Sequence, residues 1–339
     1  MTLKRILVVN VNWLGDVVFS SPVFKALKQN YPGARVVCLA VPRVKKILEF
    51  CPGLDDILVY DENGVHRSFL GKCLLIAELR RQKFDAVFLL HGSWTRALMV
   101  ALAGVPGRVG YAAKKRGWLL THRAAALSEG AHRCDIYLNV LESYGVKVTD
   151  RFCELAVPQA IKDEARAVLQ GHGIGDRDPF IALHVGGNWD LKRWPGENWG
   201  RLIRRVRGET SMKIVLTGGD GDISLCSEIV RLSQSAVPVL AGRTDLGQLM
   251  GVMQRARLVI SADSGPLHIA SSVGTRVVGL FGPTRPEVTG PRGRGEAVIL
   301  QKDTGCNLAP CYYLECPDPV CMKSLTVDDV MACVQDDQI

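Results

Sequence analysis

One pattern constrains the fold of this chain more than any other feature. A short apolar run, a glycine-rich or polar turn and a stretch of helical periodicity alternate along its whole length. In the first half, Arg5–Asn10, Arg35–Ala40, Asp56–Tyr60 and Asp85–Leu90 read as strands. Val17–Gln29, Val44–Phe50 and Phe69–Gln82 read as helices, and Tyr31-Pro-Gly33 stops the first of them. In the second half the strands are Phe180–His184, Lys213–Thr217, Val237–Leu240, Leu258–Ser261 and Val277–Phe281. The helices there are Glu197–Glu209, Ile223–Ser233, Leu246–Gln254, Gly265–Val273 and the closing Val327–Gln335. Continuously apolar strands alternating with helices predict buried parallel sheets in an α/β fold. At roughly 150 residues per domain, the 339 residues suggest two doubly wound domains facing a cleft. A linker at Leu155–Gln159 divides the chain into residues 1–157 and 158–339.

The charge is unevenly spread. Residues 1–160 hold 22 Lys and Arg against 13 Asp and Glu, a net +9; residues 161–339 hold 20 against 21, a net −1. A basic half suggests an anionic partner such as nucleic acid, a phosphorylated ligand or a membrane surface, although a merely solubilising surface would look the same. No apolar run reaches the ~18 residues of a membrane span; the longest pure run is Ala97–Ala103. Lys4 and Arg5 precede an apolar stretch that Asn10 and Asn12 interrupt, so no signal peptide is expected, and the eleven cysteines are expected as reduced thiols in the cytoplasm. No nucleic-acid-binding signature occurs, so nucleic acid is not expected as a partner.

In doubly wound sheets, ligands bind beyond the carboxyl ends of the strands, so the chemistry belongs in the loops that follow them. The strongest such loop is Asp263-Ser-Gly-Pro-Leu-His268. Ser264 suits an N-cap, Gly265 permits close approach and Pro266 fits the first helical turn, so free N–H groups and the positive end of a helix dipole face an anion. A plain capped turn would share these traits, but Asp263 beside an anion site suggests a further task, such as holding sugar hydroxyls. A second loop, His184-Val-Gly186-Gly187-Asn188-Trp-Asp-Leu-Lys192-Arg193-Trp194-Pro195, offers glycines for backbone approach and two cations for a phosphate. A third, Asn12-Trp-Leu-Gly15-Asp16, lacks the G-x-G-x-x-G fingerprint and places one carboxylate at the first strand-to-helix junction, suited to a general base. Thr217–Asp222 and Ala241-Gly242-Arg-Thr244 are plausible walls for a base and ribose.

Gly15-Asp16, Lys192-Arg-Trp-Pro195, Asp263–His268 and Val277-Val-Gly-Leu-Phe-Gly-Pro283 together resemble glycosyltransferase family 9, the ADP-heptose-dependent bacterial lipopolysaccharide heptosyltransferases, in order and spacing along nearly the whole chain. The resemblance implies a GT-B architecture with an N-terminal acceptor domain and a C-terminal nucleotide-sugar domain. It places the catalytic base on Asp16 and the phosphate-binding lysine on Lys192. Donor contacts fall on Gly187, Asn188, Gly242 and the run Asp263, Ser264, Gly265, Pro266, Leu267 and His268. A ribose-contacting acid has no clear match; Asp220 and Asp222 are the candidates. His268 either orients the site or is a core histidine. The resemblance implies no cofactor and no divalent metal. The partners implied are ADP-heptose and a lipid A–inner core acceptor, with the enzyme peripheral to the anionic inner membrane surface. Lys114, Lys115, Arg116, Arg123 and Arg133 are candidate acceptor contacts. Another sugar within the family, or a GT-B-like sugar-nucleotide epimerase, is the alternative.

Cys306, Cys311, Cys316 and Cys321 stand apart from these motifs. Their spacing fits neither the usual zinc nor the ferredoxin pattern, which leaves packed thiols, an adventitious disulfide or a metal cluster as readings.

Overall fold

Val, Ile and Leu dominate the strands because both faces of a parallel sheet are covered by helices. The computed structural model describes residues 3–187, 189–311 and 316–335. The chain divides into two compact units, Met1–Ala156 and Val157–Ile339.

The first unit holds six parallel strands: β1 (Arg5–Val9), β2 (Arg35–Ala40), β3 (Asp56–Val59), β4 (Ala86–Leu89), β5 (Gly107–Tyr111) and β6 (His122–Ala124). Their order is β3-β2-β1-β4-β5-β6, with Ile6 opposite Val36 on one side and Ala86 on the other. The direction of winding reverses between β1 and β4, which opens a crevice at their carboxyl ends. Leu7, Val9, Val37, Leu39, Val87 and Leu89 pack against Leu75 and Leu79 of the Phe69–Gln82 helix and against Ala97 and Val100 of the Trp94–Leu102 helix.

The second unit holds β7 (Phe180–His184), β8 (Lys213–Thr217), β9 (Leu258–Ala262), β10 (Arg276–Leu280) and β11 (Ala297–Leu300), ordered β11-β10-β9-β7-β8. Here the reversal falls between β7 and β9, where Leu183 pairs with Ile260 and His184 with Ser261. The loops carrying Lys192 and Asp263 leave these two strands. Trp194 and Trp199 meet edge-to-face at 4.9 Å in the core, and the Trp194 indole N–H donates to the Leu325 carbonyl at 2.9 Å. Trp194 thus anchors the end of the Lys192 loop, while Pro195 caps the Gly196–Glu209 helix.

Two expected elements differ. The helix expected over Val17–Gln29 is two helices, Leu14–Phe19 and Ser21–Asn30. They part at Ser20, whose hydroxyl donates to the Val17 carbonyl at 2.7 Å, and Pro22 follows in the first turn of the second helix. The strand expected at Val237–Leu240 is reduced to a single bridge between Leu216 and Val239.

Candidate functional site

At the first crevice, Asp16 lies in the opening turn of the Leu14–Phe19 helix, directly after β1. Its Oδ1 accepts a 2.8 Å hydrogen bond from the Tyr137 hydroxyl of the Arg133–Glu142 helix. Burial pushes the Tyr137 phenol well above its ordinary range, and the Asp16 carboxylate beside it pushes the same way, so the hydroxyl stays protonated and donating. Below this turn Asn10 is fully buried: its amide donates to Ser20 Oγ at 3.0 Å and its Oδ1 accepts from the Val11 N–H at 2.8 Å. The loop before the helix is held from outside by Arg43, whose Nε donates to the Asn12 carbonyl at 2.7 Å and whose guanidinium lies 4.2 Å from the Trp13 ring.

Following β4, the first turn of the Trp94–Leu102 helix carries Arg96, only 2% exposed. Its Nη1 donates to the Asn10 carbonyl at 3.0 Å, its Nη2 meets Glu62 at 3.3 Å and its plane lies 5.2 Å from the Tyr60 ring. Among the described residues its Nε has no hydrogen-bond partner. His91, on the loop between β4 and that helix, accepts the Ser93 N–H at Nδ1; burial, then the charge of Arg96, pushes it down to about 4, so it is neutral.

The expected acceptor cations divide. Arg116 is a correction: it is wholly buried and donates to the backbone carbonyls of Tyr111, His91 and Ser93, so it ties β5 to the β4 loop and cannot reach a ligand. Lys114, Lys115, Arg123 and Arg133 are exposed. Arg123 also donates to the Gly117 carbonyl at 3.1 Å, and Arg133 lies near enough to act electrostatically on Tyr137.

At the second crevice Asp263 is the centre of a buried network. Its Oδ2 receives Lys192 Nζ at 2.7 Å and the Thr284 hydroxyl at 2.7 Å, while His268 Nε2 stands 3.4 Å from Oδ1. Burial alone would raise the Asp263 pKa; the hydrogen bond and charge of His268 and the charge of Lys192 outweigh it and hold the carboxyl well below the usual carboxylate range. Asp263 is thus engaged by Lys192, Thr284 and His268. It aims Lys192, whose ammonium also lies 4.9 Å from the Trp189 ring.

Ser264 occupies the N-cap of the Gly265–Ser272 helix, but its hydroxyl meets Ser261 Oγ at 2.9 Å and does not cap the helix. The N–H groups of Ser264, Gly265 and Leu267 have no acceptor within the helix, and Pro266 has no N–H to offer. Leu267 offers only backbone, since its side chain is in the core. Asn188 lies outside the described residues.

Arg193 is engaged by protein groups: it pairs with the exposed Asp190 at 2.6 Å, donates to the Gly187 carbonyl at 3.1 Å and approaches Asp222 at 3.8 Å. Asp222 accepts the Gly219 N–H at 2.9 Å, and a Cβ at Gly186 would sit 2.2 Å from its carboxylate. These two residues bind glycine loops to one another. Gly242 has φ +69°, and a Cβ there would strike Ile223 and Asp220 at 2.8 and 2.9 Å. His184 is a neutral core histidine: burial pushes it down to about 4, and its Nδ1 contacts the Thr217 hydroxyl at 3.1 Å.

All eleven cysteines are free thiols. Cys306, Cys311, Cys316 and Cys321 line one pocket of about 140 Å³ together with Leu191 and Pro283. Leu191 and Pro283 directly precede Lys192 and Thr284 in the chain. Among the described residues no three His, Cys, Asp or Glu side chains are arranged as metal ligands.

Two α/β units of this topology, with an acid at one strand reversal and a lysine beside a helix N-terminus at the other, set the chain among glycosyltransferases of the GT-B architecture. The chain belongs to glycosyltransferase family 9 (heptosyltransferase), whose model matches residues 73–316. It is 25% identical over 306 residues to lipopolysaccharide heptosyltransferase 2 of Salmonella typhimurium, covering 87% of each chain. It is 27% identical to lipopolysaccharide heptosyltransferase 3 of Escherichia coli over 80% of each. Among solved structures it superposes on a family 9 glycosyltransferase of Veillonella parvula with TM-score 0.86 at 24% identity, covering 98% and 97% of the chains. On the E. coli ADP-heptose lipopolysaccharide heptosyltransferase II the TM-score is 0.80 at 21% identity, with 98% of both covered.

Proposed function

We propose that this enzyme transfers L-glycero-D-manno-heptose from ADP-heptose to a sugar hydroxyl of the lipopolysaccharide inner core; the names of its relatives, lipopolysaccharide heptosyltransferase 2 and ADP-heptose lipopolysaccharide heptosyltransferase II, support heptosyl transfer from ADP-heptose to lipopolysaccharide. The first unit binds the acceptor and the second the donor. Asp16 Oδ2 is the atom left to take the proton of the acceptor hydroxyl, because Tyr137 occupies Oδ1. As the oxygen attacks, the anomeric carbon passes through an oxocarbenium-like state, the bond to the ADP phosphate breaks and the configuration inverts. Negative charge grows on the departing phosphate. Lys192 and the N–H groups opening the Gly265–Ser272 helix supply the compensating positive charge in place of a divalent metal. Asp263 keeps Lys192 in position for that role. A lipid-anchored acceptor places the enzyme at the cytoplasmic face of the inner membrane, as a peripheral protein: among the described residues no helix is long and apolar enough to cross a membrane.

The observation that carries this reading is the Lys192–Asp263–His268–Thr284 network at the β7/β9 reversal, a built cation beside an open helix N-terminus. It is tested by following ADP release from ADP-heptose with a panel of truncated core acceptors. Release that depends on one heptose-deficient core is expected. No release with any core would refute the assignment, and donor conversion without acceptor would mark an epimerase.

A further inference from the structure

We propose that the first two turns of the Phe69–Gln82 helix, with Val65 before them, form the surface by which this protein docks on an anionic lipid bilayer. A helix in this position needs one apolar face, and it has one in Leu75 and Leu79, buried against the sheet. It carries a second that the fold does not use. Phe69 is 84% exposed, Leu70 68% and Leu74 64%; Leu70 and Leu74, four residues apart, stack on the side away from the core, and Phe69 adjoins them at the start of the helix. Val65 is 71% exposed, and its carbonyl sits so close to Gly71 that a Cβ there would approach to 2.0 Å. This seats Val65 beside the first turn and extends the patch. Four large apolar side chains exposed together cost stability in water without serving the core, a trait of surfaces that meet a partner.

The charges around the patch select the partner. Arg67 and Lys72 border the first turns, and Arg80, Arg81 and Lys83 follow at the far end of the same helix; the acids of the stretch 61–83 are Asp61, Glu62, which pairs with Arg96, and Glu78, which stands 3.6 Å from Arg81. The unit as a whole carries the +9 excess. Exposed Phe and Leu framed by Lys and Arg match the boundary between acyl chains and anionic headgroups, where rings and branched chains enter and cations stay with the phosphates. The inference rests on the proposed function in that a lipid-anchored acceptor gives the surface its task.

The test uses the full chain in flotation with vesicles of phosphatidylcholine alone and of phosphatidylcholine with phosphatidylglycerol. The wild type is expected to float with the anionic vesicles and not with the neutral ones. Phe69→Ser, Leu70→Ser and Leu74→Ser combined should weaken that binding roughly tenfold or more, with an unchanged melting temperature and unchanged transfer to a delipidated, soluble acceptor. Arg67→Glu with Arg81→Glu should weaken it at low salt and keep the same soluble activity. Equal binding by the triple variant, or no binding by the wild type, overturns the proposal. So does a wild-type dimer that the triple variant dissolves with vesicle binding intact, which would assign the face to a second copy. Vesicle binding through these residues without ADP release on any core acceptor would instead sink the proposed activity and leave the surface standing.

Discussion

Asp16 is fixed by a tyrosine 121 positions away in sequence, and this is the kind of contact that sequence reading misses. The position of Asp16 after β1 was legible because strand-to-helix junctions are where such folds place ligand groups. Tyr137 gave no signal, since a tyrosine in an amphipathic helix is most simply a core residue. Tyr137→Phe keeps the ring and removes the donor; a hydrogen bond to a charged group is worth roughly 1.5–3 kcal/mol. A fall in kcat of about tenfold or more is expected, with donor KM nearly unchanged, measured by steady-state ADP release. Asp263 makes a prediction of the opposite kind. Its folded pKa is depressed, so its stabilisation is present above the unfolded value near ~3.9 and is lost as pH falls toward the folded one. Asp263→Asn should lower the urea midpoint at pH 7, and the gap to the wild type should narrow below about pH 4.

At the scale of elements, β2, β7 and β8 were legible from end to end because they are unbroken apolar runs with polar punctuation. β5 was not: Gly107-Arg-Val-Gly-Tyr111 contains two glycines and an arginine, and its pairing with β4 comes from the sheet and not from its own composition. The edge strands β6 and β11 are short and partly exposed, so no buried face marks them in sequence. The break at Ser20 was hidden because Val17–Gln29 is helical in periodicity throughout; only Pro22 hints at a new first turn. That break depends on Asn10, whose side chain joins β1 to Ser20. Asn10→Ala leaves buried polar groups without partners and should cost roughly 1–3 kcal/mol in urea unfolding. It should also lower kcat by loosening the turn that carries Asp16; an unchanged midpoint would show that the turn holds itself.

For the molecule as a whole, the division of charge corresponds to a division of structure: the unit Met1–Ala156 carries the basic excess and the unit Val157–Ile339 is close to neutral. Arg116 shows that a count of cations overstates the usable surface, because one of them serves the interior. The exposed remainder should make acceptor use more sensitive to salt than donor binding. Raising ionic strength to ~0.5 M, where screening is strong, should raise acceptor KM severalfold and change the Kd for ADP less. An equal response of the two would place the anionic ligand elsewhere.

The central claim assigns proton removal to Asp16 in one unit and phosphate charge to Lys192 in the other. Parallel measurement of turnover and ADP affinity in Asp16→Ala and Lys192→Ala tests it most directly. Asp16→Ala is predicted to lose turnover by a factor of about a thousand or more, the upper part of the range for general-base catalysis, while binding ADP as the wild type does. Lys192→Ala is predicted to bind ADP at least tenfold more weakly, the loss of one charge-assisted contact. Normal turnover in Asp16→Ala, or unchanged ADP affinity in Lys192→Ala, would contradict the account.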